Sequence, residues 1–384
     1  MQLIRALACP SDLPRRRFLG AGLGSLGLWG LGTCLVQSAQ ALEQTALVFP
    51  RDAGAHPDFR TEWWYVTGTI NSEGAAPDAA PAFGFQVTFF RSRIANTQGM
   101  QSQLAARQLI FAHAALTDIS GKKLWHDQRI ARASGAEPGK NPLDTASASL
   151  QDTGVVLRDW SLQRQGEDLR AQIDATDFSL ALSFTANQPV LLQGDHGVSR
   201  KGPDPKQTSY YYSLPHLQVN GTLVLQGKRH VVGAGSTAWL DHEWSKEMLP
   251  PGAAGWDWLG INLLDGSALT AFRVRDKSGG ALWDGGSLRT QGKLFNFQHG
   301  EVVFQPLRVW KSPLSQASYP VEWTVHTPTD IYTVRAVLDN QELDSRTSTG
   351  AIYWEGLCEV WNSVNKLVGR GYLEMTGYAV PIKL

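Results

Sequence analysis

The chain has 384 residues with 35 basic and 35 acidic side chains, so it lacks the basic excess that is typical of a nucleic-acid-binding protein. Its length supplies enough material for one large or two medium domains. Of its three cysteines only Cys358 lies beyond residue 41, so that part of the chain cannot form an internal disulfide and must be stabilised by its core.

The first 41 residues predict an export signal of the twin-arginine type. Residues 15–19 (RRRFL) fit the Arg-Arg-x-Phe-Leu pattern, an uncharged glycine-rich stretch follows, and residues 39–41 (AQA) fit a small-x-small cleavage site. An uncleaved membrane anchor is the alternative. Cleavage would leave 31 basic and 34 acidic residues, a net charge of −3. We therefore expect a periplasmic or secreted protein.

Runs of apolar, aromatic and β-branched residues, many of them alternating with polar residues, predict β-strands along the rest of the chain. The segments are residues 63–70, 83–91, 109–116, 155–163, 169–173, 178–185, 216–219, 222–226, 259–264, 268–274, 301–304, 321–326, 331–338, 351–360 and 371–378. Asn220-Gly221 and Asp265-Gly266 predict tight hairpins between two pairs of these strands. Residues 100–108 are the best candidate for a helix.

Many short strands at regular spacing predict an all-β protein built from antiparallel barrels or sandwiches. A single barrel of 343 residues would be oversized for a soluble ligand-binding protein. We therefore expect two β-domains, residues 46–225 and 226–384. No linker-like composition marks the boundary near residue 225.

The most unusual stretch is residues 239–258, which contains Asp241, His242, Glu243, Asp257 and four tryptophans. Strand alternation would place Asp241 and Glu243 on one face and His242 on the other. Neighbouring carboxyl groups are rarely buried without partners. One interpretation is a structural cluster between domains, in which arginines pair with the acids. The other is a general acid whose pKa is raised by apolar walls.

An upstream stretch carries His56 and residues 62–65 (EWWY), and we expect it to converge with residues 239–258 on one pocket. Glu62 joins the candidate catalytic residues. The candidate ligand-binding residues are His56, Trp64, Tyr65, Tyr211, Trp244, Trp256 and Trp258. The nine histidines show no His-x-His or His-x-x-x-His spacing, so the sequence predicts no metal site.

Six segments occur in an order that resembles a known family. They are residues 62–65 (EWWY), 111–118 (FAHAALTD), 210–213 (YYYS), 241–245 (DHEWS), 255–258 (GWDW) and 371–378 (GYLEMTGY). The set resembles the carotenoid 1,2-hydratase (hydroxyneurosporene synthase)-like group of lipocalin-like proteins, which includes the AttH-type secreted proteins. The resemblance implies two lipocalin-like (calycin) antiparallel β-barrel domains with a pocket between or within them, and a hydratase branch that needs no cofactor.

Two functions are open at this point. The first is a secreted, cofactor-free hydratase or hydrolase acting on a hydrophobic isoprenoid- or lipid-like substrate. Asp241, Glu243 or Asp257 would protonate the substrate, indole rings would stabilise the cation, and His242 or Glu62 would activate water. The second is a non-catalytic lipocalin-like carrier that hands a lipophilic ligand to a membrane transporter. Both need a hydrophobic small molecule, and neither needs nucleic acid.

Overall fold

A computed structural model describes residues 46–382, and the predicted leader lies outside them. Within this range the chain forms 26 β-strands and two three-residue 3-10 helices, Arg51–Ala53 and Ala95–Thr97. Neither of these short helices could cross a bilayer. The prediction of an all-β protein is confirmed.

The first sheet contains 14 strands, and each pair of neighbours is antiparallel. Its strands are β1 (Thr61–Ile70), β2 (Phe83–Arg93), β3 (Gln108–Asp118), β4 (Lys123–Ala133), β5 (Ala146–Ala148), β6 (Gly154–Leu157), β7 (Trp160–Gln165), β8 (Asp168–Asp174), β9 (Phe178–Thr185), β10 (Leu191–Leu192), β11 (Val198–Arg200), β12 (Thr208–Leu225), β13 (Lys228–Val231) and β14 (Thr237–Glu247). The order is β4-β3-β2-β1-β14-β12-β9-β8-β7-β6-β5, and β10, β11 and β13 pair with β12.

The two ends of the first sheet come together, which makes it a near-closed barrel. Ser134, directly after β4, donates its backbone N–H to Asp144 Oδ2 just before β5 (3.0 Å), and Arg129 on β4 donates to the Asp174 carbonyl at the end of β8 (3.3 Å). The inward faces follow the alternation of the sequence. On β9, for example, every second residue from Phe178 to Phe184 is buried.

The second sheet contains ten strands and has its own core. The strands of this half are β15 (Gly255–Leu263), β16 (Ala268–Arg275), β17 (Ala281–Thr290), β18 (Lys293–Phe297), β19 (Val303–Pro306), β20 (Val309–Lys311), β21 (Ser318–Pro320), β22 (Glu322–His326), β23 (Ile331–Ala336), β24 (Glu342–Ser345), β25 (Ala351–Trp361) and β26 (Leu367–Met375). The order is β18-β17-β16-β15-β26-β25-β23-β22-β19, β24 pairs with β25, and β20 and β21 form a separate ribbon. Trp323 and Trp354 are fully buried in this second core.

The chain changes sheets at residues 248–254, around a Pro-Pro-Gly turn. Strand β14 pairs with β1 and β12 in the first sheet, although the predicted boundary near residue 225 groups it with the second domain. We therefore propose that the domains divide at residues 248–254.

The hairpin predicted at Asn220-Gly221 is wrong. Both residues lie inside β12, which stays paired with β9 on either side of them. The turn comes later, at Gln226 and Gly227, whose φ angles of 47° and 80° suit a two-residue hairpin. The hairpin at Asp265-Gly266 is confirmed between β15 and β16. Residues 100–108 form turns and the first residue of β3 instead of a helix.

Gly221 allows a close approach between strands, and its replacement should be costly. Its φ is 126°, and a Cβ atom there would lie 2.1 Å from the Ala181 carbonyl oxygen. We expect Gly221→Ala to lower the free energy of unfolding by about 3 kcal/mol. Gly166 also has a positive φ, but a Cβ atom there would meet open space, so Gly166→Ala should cost only about 1 kcal/mol. Equal losses in urea unfolding would contradict this.

Candidate functional site

A cavity of about 830 Å³ lies between the two sheets. Its size suits a drug-sized ligand. The wall is formed mainly by β1, β2, β3 and β14 of the first sheet and by β15, β16, β25 and β26 of the second. Its apolar and aromatic lining residues are Trp63, Tyr65, Phe90, Leu109, Phe111, Ile130, Met248, Leu249, Trp256, Trp258, Phe272, Val274, Ile352, Tyr353, Val380, Pro381 and Ile382. Exposed Lys277, Gly350 and Val380 lie where the cavity reaches the surface.

Strands β1 and β14, the two stretches expected to converge, are hydrogen-bonded neighbours. Trp63 lies opposite Glu243, and Tyr65 lies opposite Asp241. All four residues line the cavity. Because alternate residues of a strand point to opposite faces, the remaining candidates on these two strands turn their side chains towards the first barrel, although Glu62 also borders the cavity.

Asp241 is buried on the cavity wall, and three side chains donate hydrogen bonds to its carboxyl group. Oδ2 accepts from the Tyr211 hydroxyl (2.6 Å), and Oδ1 accepts from Ser213 (2.5 Å) and the Trp239 indole (2.6 Å). These bonds favour the ionised form, but burial outweighs them and raises the pKa of Asp241 to about 7. The group can therefore exchange a proton near neutral pH.

Glu243 is the ion-paired acid of this wall. Its Oε1 accepts from the Ser209 hydroxyl and lies 2.9 Å from the Lys201 ammonium nitrogen. That ammonium also lies 4.3 Å from the centre of the Phe272 ring and 4.8 Å from that of Tyr211. The Lys201 ammonium is thus a cation that contacts one carboxylate and two aromatic rings.

The second sheet contributes a pair of acids that are not among the candidate residues predicted from the sequence. Glu355 on β25 and Glu374 on β26 lie directly opposite each other, and both line the cavity. Burial, followed by the charge of Glu374, raises the pKa of Glu355 well above its ordinary value. The Trp256 indole donates to Glu374 Oε2 (3.0 Å), which favours the ionised form of that partner. The sequence signal that could have found Glu355 is strand alternation, which places it on the same face of β25 as Tyr353.

Trp256 and Trp258 share the cavity face of β15, as the alternation of residues 255–258 predicts. The Trp258 indole donates to the Tyr211 hydroxyl (3.2 Å), and Tyr65 packs against its ring edge-on. Asp257, between the two tryptophans, points to the opposite face of the sheet, towards the second core. There it pairs with Arg273 (2.6 Å). The structure does not bring Asp257 to the cavity.

Five other candidates, His56, Glu62, Trp64, His242 and Trp244, meet inside the first barrel. His56 donates its backbone N–H to Glu62, and the imidazoles of His56 and His242 lie 2.7 and 3.0 Å from Glu62 Oε1. Trp244 stacks on His56 with ring centres 3.7 Å apart, and Trp64 stacks on His242.

Arg91 completes this cluster at 2.6 Å from Glu62 Oε2. Burial alone would raise the pKa of Glu62, but the bonds to His242 and His56 and the Arg91 charge hold it far below its usual range. His56, Glu62 and His242 are close enough together to be considered as metal ligands. Both oxygens of Glu62 are already engaged and Arg91 supplies the positive charge, so the cluster is better described as a buried ion-pair network.

His113 and Tyr353 form a polar link between the mouth and the acid pair. His113 Nδ1 lies 2.8 Å from the Tyr353 hydroxyl, and Nε2 lies 2.8 Å from the Ser348 hydroxyl on the loop before β25. Burial, followed by the charge of His126, lowers the pKa of His113 to about 3, so the imidazole is neutral at pH 7. Tyr353 and Glu355 are two residues apart on the same face of β25.

The buried acid pair predicts a pH-dependent stability. Since the pKa of Glu355 is raised on folding, the folded chain keeps a proton that the unfolded chain releases, and stability falls as pH rises towards the folded-state pKa. The buried histidines His113 and His242 have lowered pKa values, so they act in the opposite direction, but only below the ordinary histidine value of about 6.5.

We therefore expect the free energy of unfolding in urea to fall as the pH rises above about 6.5, where the histidines no longer act, by up to about 1.4 kcal/mol per pH unit. Glu355→Gln should flatten this slope, because glutamine does not ionise. The exposed Glu167→Gln is the matched control and should keep it. If Glu355→Gln showed the same slope as wild type, the pH dependence would not come from Glu355.

Comparisons with known proteins agree with the sequence resemblance. The model of the family described as AttH-like matches residues 40–378. The crystal structure of an AttH protein from Nitrosomonas europaea superposes with a TM-score of 0.78 at 45% identity, over 88% of this chain and 99% of that one. Kievitone hydratase from Nectria haematococca superposes with a TM-score of 0.64 at 13% identity, over 87% and 94%. A search of curated proteins gave no significant match. The expected lipocalin-like fold is confirmed.

Proposed function

The chain belongs to the AttH-like family, and from that premise we propose that it is a cofactor-free hydratase for a hydrophobic, isoprenoid- or lipid-like substrate. Kievitone hydratase shares its fold, which shows that a hydratase can be built on this architecture. The observation that carries the proposal is a set of buried carboxyl groups with raised pKa on the wall of an apolar cavity. Asp241, Glu355 and Glu374 form this set, and we call them the cavity acids.

Glu355 is the cavity acid best suited to donate a proton. It is 2% exposed, and burial and the facing Glu374 disfavour its charge and raise its pKa well above the ordinary glutamate value. A neutral carboxylic acid in an apolar site is the form that a general acid needs. Glu374, which accepts from Trp256, is the partner suited to hold the negative charge.

The reaction is acid-catalysed addition of water to a carbon–carbon double bond. The proton of Glu355 passes to one alkene carbon, the π electron pair forms the new C–H bond, and the other carbon becomes cationic. Water then bonds to that carbon and loses a proton to the carboxylate of Glu374 or Glu355. The product contains one more water, and proton transfer between the two carboxyl groups restores the acid.

Trp256 and Trp258 would stabilise the cation as it forms. Both line the cavity, and an indole face attracts a desolvated cation by roughly 0.5–2 kcal/mol. This attraction is absent in the neutral substrate, so it lowers the barrier instead of only strengthening binding. Trp64 and Trp244 face the first barrel and are left with a packing role in this proposal.

The proposed location is the periplasm or the outside of the cell, by the twin-arginine route. The support is the RRRFL motif and the small-x-small site of residues 1–41. Replacing Arg15 and Arg16, the two arginines of the motif, with lysine should retain the protein in the cytoplasm, and cell fractionation measures this. Unchanged export would contradict the route.

The test of the activity starts from the molecule that the protein carries. Native mass spectrometry of protein purified from its own cells identifies bound apolar molecules, and these are incubated with the protein in isotopically labelled water together with squalene and farnesol as probes. We expect a product heavier by one labelled water.

A non-catalytic carrier is the second candidate, and the state of Asp241 favours it. Three donors already bond to its carboxyl group, which is typical of a buried polar group with a structural role. A carrier would bind the same apolar ligands and pass them on, for example to a membrane transporter, without adding water. Tight binding with no labelled product would therefore support the carrier and contradict the hydratase.

A further inference from the structure

The charges on the cavity wall are unbalanced. The residues that line it include five acids, Glu62, Asp241, Glu243, Glu355 and Glu374, and three bases, Arg91, Lys201 and Lys277. Lys201 neutralises Glu243, and the other buried base, Arg91, pairs with Glu62. Within residues 46–382 no salt bridge reaches any of the three cavity acids. The wall therefore suits a positive charge and opposes a negative one.

Two buried polar atoms of this wall have no hydrogen-bond partner. They are Glu355 Oε1 and the Tyr65 hydroxyl. The two side chains lie close enough for Tyr65 to lower the pKa of Glu355 as a hydrogen-bond donor, but the geometry between them falls short of a normal hydrogen bond. Glu355 is 2% exposed and Tyr65 is 7% exposed, and both line the cavity. Buried polar atoms are rarely left unsatisfied, so these two point to a group that enters the cavity.

Aromatic rings surround the same acids. Trp256 bonds to Glu374, Tyr65 packs against Trp258, and all of these residues line the cavity. An aromatic wall with adjacent carboxylates is the usual site for quaternary and protonated amines. The Lys201 ammonium is held in this manner a short distance away on the same wall, between Glu243 and the Phe272 ring.

We propose that the cavity binds a lipophilic ammonium ion, with its apolar chain in the cavity and its cationic end against Glu355 and Glu374. This ligand class goes beyond the proposed hydration, and its binding is measured without turnover. A protein that fails to hydrate any alkene can still meet this expectation, and an active hydratase can fail it.

Binding should release a proton, because an ammonium ion stabilises the ionised form of the acids that it contacts. The titratable and charged groups that face or act on the acid pair from the surrounding elements are Glu62, Tyr65, Arg91, His113, Lys201, Asp241, Glu243, Asp257, Tyr353, Tyr372 and, at the mouth, Lys277. Of these, only Asp241 has a pKa raised into the neutral range. The affinity for the cation should therefore rise with pH and flatten once the acids are ionised.

The experiment uses three probes of equal chain length: decylammonium, whose N–H groups can bond to Glu355 Oε1, decanol and decanoate. Isothermal titration calorimetry in two buffers of different ionisation enthalpy gives the affinity and the number of protons released. We expect the ammonium to bind most tightly at pH 7, with an affinity that rises by up to about tenfold per pH unit between pH 5 and pH 7. Decanol should show no pH dependence, and decanoate should bind most weakly.

The variant Glu355→Gln/Glu374→Gln should bind the ammonium at least about tenfold more weakly at pH 7 and release no proton. Its affinity for decanol should be unchanged, which shows that the cavity still forms. The exposed Glu167→Gln should behave as wild type. Equal affinity for ammonium and decanol in wild type, or ammonium binding that survives in the double variant, would overturn the proposal.

Discussion

Replacing Glu62 with glutamine is expected to lower the free energy of unfolding by about 3–5 kcal/mol. The carboxylate is fully buried, contacts Arg91 at 2.6 Å, and lies within hydrogen-bonding distance of two histidines. Glutamine keeps the shape but removes the charge, so the Arg91 guanidinium is left buried without its counter-ion. Urea unfolding at pH 7, followed by circular dichroism, measures the loss.

The matched control is Glu322→Gln. Glu322 also pairs with an arginine, Arg335 at 2.8 Å, but both side chains are partly exposed. Solvent screens such a pair, so its loss should cost no more than about 1 kcal/mol. A Glu62 variant that loses no more stability than the Glu322 variant would show that the buried network contributes little.

The same network should make the fold sensitive to acid. Its hydrogen bonds hold the pKa of Glu62 below the ordinary glutamate value. This contribution to stability is complete above the unfolded-state pKa of about 4.5 and is lost as the pH falls below it. Wild type should therefore lose more stability than Glu62→Gln when the pH is lowered from about 5 to about 3.

Strand alternation predicted much of this arrangement because it depends only on local geometry. It separated Asp241 and Glu243 from His242, and Trp256 and Trp258 from Asp257, and the structure shows those faces. What alternation could not give is what each face packs against. Both faces of β14 are buried, one inside a barrel and one against the second sheet, so burial alone did not identify the cavity side.

The misses depend on contacts between distant segments. Asn220-Gly221 has the sequence of a hairpin, but pairing with β9 keeps β12 extended through it. Glu355 and Glu374 gain their significance from the register of β25 with β26, and then from packing against β1 and β14. Neither the register nor the packing is visible in either strand by itself.

Replacing Glu355 with glutamine is expected to lower the rate of hydration by about 10²–10⁴-fold, the usual contribution of a general acid. Glutamine fills the same volume and can still form hydrogen bonds, but it cannot transfer a proton to the alkene. Affinity for the neutral substrate should therefore change by less than about threefold, so the loss appears in kcat and not in KM. The measurement is steady-state formation of labelled alcohol with the substrate identified by native mass spectrometry.

Two further variants separate the roles of the acids. Asp241→Asn should lower the rate of hydration less than Glu355→Gln does. Three donors already hold the Asp241 carboxyl group, whereas Glu355 Oε1 is free to approach a substrate. Glu167→Gln, in the exposed turn between β7 and β8, should keep full activity. If Glu355→Gln retained wild-type turnover while Asp241→Asn lost it, the proton donor would be Asp241, and the acid that starts the reaction would lie on the first barrel.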